Sequence, residues 1–128
     1  MIVYLDTMVA VWLVEDGMQW RLSTAAKRAV EQSESLLISP MAVFELKAIY
    51  RKKRILTTPA EVLLALETRV DVRVCKHPFI DVAIAAMAID WTTDPGDAMI
   101  VGHAMANGNA PLITSDRNIR AHYAAAIW

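Results

Sequence analysis

Ile2-Val3-Tyr4-Leu5-Asp6-Thr7-Met8-Val9-Ala10-Val11-Trp12-Leu13-Val14 decides the fold class. Its first four residues form a short apolar run suited to a strand buried on both faces, and Asp6-Thr7 ends that run. Met8 to Val14 then reads as a helix. A buried strand passing directly into a helix is the opening unit of a parallel α/β sheet.

The same alternation recurs outward from this stretch. Ser23 caps a helix running to about Ser33, and Leu36 to Ile38 is a second buried strand. Ser39 caps and Pro40 opens a helix to about Lys52. Thr58-Pro59-Ala60-Glu61 is a capping box for a helix to about Arg69, and Val70 to Val74 is a third strand. Pro78 opens an alanine-rich helix ending near Asp90 or Trp91. Asp94-Pro95-Gly96-Asp97 turns into a helix that reaches Asn107, with Gly108 as its stop. Pro111 to Thr114 is a fourth strand, a helical turn follows Asp116, and Ala125 to Trp128 can add an edge strand. The expectation is one α/β domain over residues 1–128, with a parallel sheet of four to five strands covered on both faces.

Composition narrows the function classes. Hydrophobic residues make up 55% of the 128 and charged residues 21%, the balance of a globular chain. The net charge of -1 excludes a protein that coats a duplex by bulk positive charge. Positive charge is instead local: Lys47, Arg51, Lys52, Lys53 and Arg54 fall within eight residues. On its own that run reads first as a solvated helix end, whose cations favour the C-terminal dipole. Cys75 is the single cysteine, which rules out an intrachain disulfide and suits a buried residue in a reducing compartment. With no charged leader and no apolar run long enough for a bilayer, the expected location is cytoplasmic, away from membranes.

The acidic residues carry the chemistry. Asp6 ends strand one, Asp116 follows strand four, and Glu45 lies on the helix after strand two. Asp97 sits in the first turn of the helix before strand four. Each has a plain structural reading: Asp6 and Asp116 can cap helices, and Asp97 suits a helix N-terminus. Glu45 resists one, because Met41, Ala42, Val43, Phe44, Leu46, Ala48 and Ile49 surround it in sequence. Ligand sites of parallel sheets lie beyond the carboxyl ends of the strands, where these four would converge. Converging carboxylates repel unless a cation neutralises them, and Mg2+ or Mn2+ is the natural partner of oxygen ligands. Such an ion can activate water and stabilise charge on a phosphate, so the pattern fits a phosphodiester nuclease.

Four motifs now carry a resemblance. Asp6-Thr7 after the first strand, Ser39 to Leu46 with its basic sequel, Asp94-Pro95-Gly96-Asp97-Ala98-Met99-Ile100 and Leu112-Ile113-Thr114-Ser115-Asp116 resemble the motifs of PIN-domain ribonucleases. In order and spacing they look like the VapC-type toxins of VapBC toxin–antitoxin pairs. The resemblance implies a PIN-like three-layer α/β/α fold and an endoribonuclease using Mg2+ or Mn2+. Its products would carry a 5′-phosphate and a 3′-hydroxyl. Asp6, Glu45, Asp97 and Asp116 would hold the metal, supported by Thr114, Thr7 and Asp94, with Asp94 also readable as a turn residue. Lys47, Arg51, Lys52 and Arg54 become RNA-backbone contacts. The resemblance also implies a VapB-like antitoxin and a homodimer. Met8, Val9, Trp12 and Leu13, with Val62, Leu63 and Leu66, then either line a groove for the antitoxin or form core stripes.

Two positions depart from the pattern. Gly96 and Ala98 stand where relatives often carry a bulky apolar residue and an arginine. His103 fits a hydrogen-bonded structural residue better than a general base, and His77 and His122 have no assigned role. A receiver domain would need paired acids after strand one, where Asp6 stands alone. An Asp-x-Asp phosphatase fails at Met8, and no glycine-rich loop supports a dinucleotide. The serious alternative is a PIN fold kept as a non-catalytic RNA- or protein-binding module, which would be marked by loss of an acid.

Overall fold

A computed structural model of the chain describes residues 1–128. Five strands, β1 (Ile2–Leu5), β2 (Ser35–Ile38), β3 (Val72–Val74), β4 (Leu112–Ile113) and β5 (Ala126–Ile127), form one parallel sheet. Their order is β3-β2-β1-β4-β5. Seven helices accompany them: α1 (Thr7–Val14), α2 (Thr24–Gln32), α3 (Pro40–Arg51), α4 (Pro59–Val70), α5 (Phe79–Met87), α6 (Pro95–Ala106) and α7 (Arg117–His122). No helix is long and apolar enough to cross a membrane.

β1 is the central strand, and Val3, Tyr4 and Leu5 are all fully buried. Successive strand residues face opposite sides, so both faces of the sheet are covered and the architecture is three-layered. Among the helices, α1, α3 and α4 pack on one another, α5 packs on α6, and α6 on α3. Val9, Val62 and Leu66 are buried in these contacts. No groove therefore opens between α1 and α4 at those three residues, while Met8, Trp12, Leu13 and Leu63 stay partly exposed.

Strand register decides where the site lies. Leu5 is level with Ile38 on one side and Ile113 on the other. The residues that follow, Asp6, Ser39 and Thr114, thus leave the sheet at one edge. The order reverses between β1 and β4, since β2 and β3 are added on one side and β4 and β5 on the other. Parallel sheets open a crevice at such a reversal, at their carboxyl edge.

Most helix starts are where the caps put them: Ser23, Ser39 and Thr58 each accept a hydrogen bond from their own first turn. β4 and β5 are each two residues long, shorter than the expected Pro111 to Thr114 and Ala125 to Trp128. Two further boundaries and one element differ from expectation. β3 begins at Val72, not Val70, because α4 runs on to Val70 and Asp71 takes the left-handed conformation (φ 51°) as its cap. α5 stops at Met87 because Ile89 and Trp91 leave the helix to pack on the core. There Trp91 stacks on His122 at 5.1 Å, and its carbonyl accepts from Asn118. Gln19–Arg21 forms a one-turn 3₁₀ helix that no sequence signal announces.

Candidate metal centre

Asp6, Thr7, Glu45, Asp97 and Asp116 line one cleft at the carboxyl edge of the sheet, together with Met8, Trp12, Ile49, Arg54 and Ser115. Each acid arrives on a different element. Asp6 is the cap between β1 and α1, and its backbone N–H donates to Ile113 O, which ties that junction to β4. Glu45 sits in the second turn of α3. Asp97 is in the first turn of α6, whose cap is Asp94, and Asp116 caps α7 by accepting from Ile119 N at 2.9 Å. The capping and functional readings of Asp6 and Asp116 are therefore compatible.

Two threonines orient the carboxylates. Thr114 Oγ1 donates to Asp6 Oδ2 at 2.6 Å and accepts from Asp116 N at 3.0 Å, so it bridges two cleft acids. Thr7 Oγ1 donates to Glu45 Oε2 at 2.8 Å, while Thr7 N donates to Asp6 Oδ1 at 2.8 Å. Asp94 accepts from Gly96 N and Asp97 N, which holds the first turn of α6 and is the turn role read from its position. A second clamp joins the helices bearing Glu45 and Asp97. His103 on α6 is buried, with Nδ1 2.8 Å from the Ser39 hydroxyl that caps α3 and 3.0 Å from Met99 O. Burial lowers its pKa, so it stays neutral and structural.

Gly96 explains one departure in the motif. A Cβ there would run into Glu45 Oε1 and press on Asp94 Oδ1. The glycine leaves the space into which the Glu45 carboxylate reaches. In the sequence Gly96 is only an oddity, because the neighbour that requires it lies on another helix.

The electrostatics are those of uncompensated crowding. No Lys, Arg or His forms an ion pair with any of the four acids. Asp97 is pushed up to about 7, first by burial and then by repulsion from Asp94, Asp116, Asp6 and Glu45. Burial also raises Asp6, with Asp116 adding to it and the Thr114 and Thr7 bonds opposing. Glu45 is raised by burial, with the Thr7 bond opposing and repulsion from Asp6 and Asp94 adding. No three acids close on one point as a ready-made ion site. Asp6 and Glu45 are turned onto their threonines instead. In kind, the donors fit a hard divalent cation: all are carboxylate oxygens, half-buried and in no ion pair.

Of the basic run, Arg54 alone lines the cleft; Lys47, Arg51 and Lys52 are exposed outside it. Lys53 takes a left-handed turn (φ 58°) that closes α3 and swings the chain at Arg54. Arg54 N is fixed to Ile49 O at 3.0 Å, and Ile55 is buried beside it. Two neighbours of the acids escape sequence reading as cleft residues, Ile49 and Ser115. Ile49 lies one turn beyond Glu45, a spacing that could have flagged it.

Fold and cleft together define a parallel α/β domain that gathers acids from four elements at one sheet edge. The family model described as PIN domain matches residues 3–125. A relative from Mycobacterium tuberculosis (strain ATCC 25618 / H37Rv), named Ribonuclease VapC22, is 30% identical over 121 residues, 94% of this chain and 91% of the relative. Solved structures share the fold. A toxin–antitoxin complex from Klebsiella pneumoniae matches with a TM-score of 0.66 at 18% identity, over 98% of this chain and 96% of that one. VapBC-1 from nontypeable Haemophilus influenzae matches at 0.60 and 24%, over 94% of each chain. VapBC2 from Rickettsia felis, bound to a DNA fragment from its promoter, matches at 0.60 and 18%, over 94% and 92%. The chain belongs to the PIN-domain family and resembles its VapC-type members.

Proposed function

We propose that the chain is a Mg2+- or Mn2+-dependent endoribonuclease, the toxin of a toxin–antitoxin pair, acting in the cytoplasm. The observation that carries this is the cleft itself: Asp6, Glu45, Asp97 and Asp116 line it together, none is in an ion pair, and Asp97 feels the other three. Four such carboxylates raise one another's energy unless a cation sits among them. A divalent ion bound there supplies charge neutralisation of the phosphate and a lowered pKa for water.

The chain's own residues supply position. Thr7 and Thr114 fix Glu45 and Asp6, the Ser39–His103 contact fixes α3 against α6, and Gly96 leaves the volume Glu45 needs. Asp97, pushed up to about 7 by burial and by its neighbouring acids, is the carboxylate whose ionised form a bound cation would favour most. Arg54 adds a positive charge on the cleft wall and takes over the phosphate-facing role missing at Ala98. Hydrolysis adds water across the phosphodiester, and the leaving 3′-oxygen departs as a hydroxyl. The relative's name, ribonuclease, and the toxin–antitoxin complexes among the structural neighbours support this reading. A non-catalytic module has no corresponding support, because all four acids expected to hold the metal line the cleft.

Two partners follow in the same proposal. An antitoxin silences the enzyme by lying across the cleft mouth, where Met8 and Trp12 are partly exposed, with Leu13 partly exposed next to Trp12 in the chain. A second copy covers α5, whose Ile80, Ile84 and Met87 recur at helical spacing and stand exposed beside Phe79. Purified, antitoxin-free protein should cut RNA with Mg2+ or Mn2+, fail in chelator, and fail as Asp6→Asn. Cleavage that persists in chelator would contradict the proposal.

A further inference from the structure

Beyond Asp116 the surface changes sign. Arg117, next in the chain, lines a second, shallow recess with Arg120, Ala121, Ala126 and Trp128. Arg117 and Arg120 lie three residues apart on α7 and so share a side of it. Neither arginine has an ion-pair partner. The recess joins the acidic cleft twice: along the chain through Asp116-Arg117, and across space through Trp12, which lines the cleft with its ring 6.0 Å from that of Trp128. Arg21 lies over Trp12 at 5.7 Å and over Trp20 at 4.9 Å, and it too is without a carboxylate partner.

The geometry points to a subsite for the single-stranded stretch flanking the scissile phosphate, with Arg117 and Arg120 on its phosphates and Trp12 and Trp128 against its bases. The inference deepens the ribonuclease reading and rests on it for the identity of the polyanion. Charge and chemistry favour a nucleic acid over an acidic polypeptide. Both carry anions for the arginines, but only a nucleic acid also brings flat bases against the two indole faces, which stand tilted 50° to each other. A chain with net charge -1 can hold a polyanion only where its cations are collected and unpaired, and this recess is such a place. The acids would meet one phosphate through a bound cation, and the arginines would meet its neighbours directly. The tract is sequence-tolerant by construction, since backbone charge and stacking read no base edges.

Binding is measured in chelator, so that nothing is cut, by the anisotropy of a labelled single-stranded RNA decamer. Arg117→Gln/Arg120→Gln should weaken affinity about tenfold and flatten the slope of log affinity on log salt by about 0.7 for each arginine lost. Trp128→Phe should keep most of the affinity. Trp128→Leu, which keeps apolar packing but not the flat ring, should lose it at unchanged urea stability, an outcome that a merely structural role for Trp128 beside the edge strand does not give. Affinity within twofold of the unaltered chain, at an unchanged salt slope, overturns the proposal. So does a poly-glutamate decamer that binds as tightly and is lost in the same variants, since the recess would then serve an acidic polypeptide. Cleavage by the unaltered chain is scored separately. Arginine-dependent binding without any cleavage supports this subsite and counts against the ribonuclease reading; cleavage without arginine-dependent binding does the reverse.

Discussion

The two ends of α1 each carry a carboxylate shielded from solvent, and the fold treats them in opposite ways. At the C-terminal end Glu15 is 8% exposed, and its Oε1 accepts from Leu56 N at 2.9 Å, Thr57 N at 3.3 Å and the Thr57 hydroxyl at 3.3 Å. It has three donors and shares no cleft with the four acids, and its role is structural, pinning the loop between α3 and α4. At the N-terminal end Asp6 has two donors and faces three other acids across a cleft. Burial alone therefore does not mark a functional acid. A buried carboxylate satisfied by donors is architecture; several carboxylates shielded together, none of them in an ion pair, mark a site.

That contrast can be broken first at the cleft. Asp116→Asn should cut RNA cleavage by on the order of 10³-fold, while the metal-free protein unfolds no more easily than the unaltered chain, because a repulsive charge has gone. Cleavage assays and urea unfolding without metal check the two halves. At the other end, Glu15→Ala should cost about 2–3 kcal/mol in urea unfolding, since it strands Leu56 N and Thr57 N. Any loss of activity should be smaller than for the cleft acids and should arise through a loosened Arg54 loop. A Glu15→Ala protein of full stability would remove the distinction. The finest test is Gly96→Ala. The helix gains up to about 1 kcal/mol from alanine, yet the new Cβ displaces Glu45 Oε1, so Mn2+ affinity should fall about tenfold as stability holds or rises.

How much of this is legible in the sequence follows from the range of the forces. Caps at Ser23, Ser39, Thr58 and Asp94 are settled within one turn, so the helix starts can be read directly. Alternation and apolar runs announce the parallel sheet, and the positions of Asp6, Glu45, Asp97 and Asp116 relative to it announce the cleft. What escapes depends on distant partners. α5 ends at Met87 because Trp91 finds His122, far along the chain, and nothing within the helix says so. In sequence Val9 is as open as Met8 and Trp12; only the packing of α4 against α1 buries it. Lys47, Arg51 and Arg54 look equivalent, and only the left-handed turn at Lys53 separates the one that reaches the cleft. Thr7 is a weak candidate in sequence because its bond is to Glu45, on another element.

The most direct test of the central claim is thermal stability against pH, with and without Mn2+, for the unaltered chain and Asp97→Asn. Asp97 titrates near 7 in the folded chain against 3.8 as its ordinary value. An acid with a raised folded pKa contributes stability that is complete below pH of about 4 and lost as pH rises through about 7. The metal-free chain should therefore lose stability across that window relative to Asp97→Asn, and Mn2+ should recover it most strongly at the upper end. Metal-free stability that rises with pH through the window relative to Asp97→Asn, or a chain indifferent to Mn2+ above pH 7, would contradict an acidic cleft built for a cation.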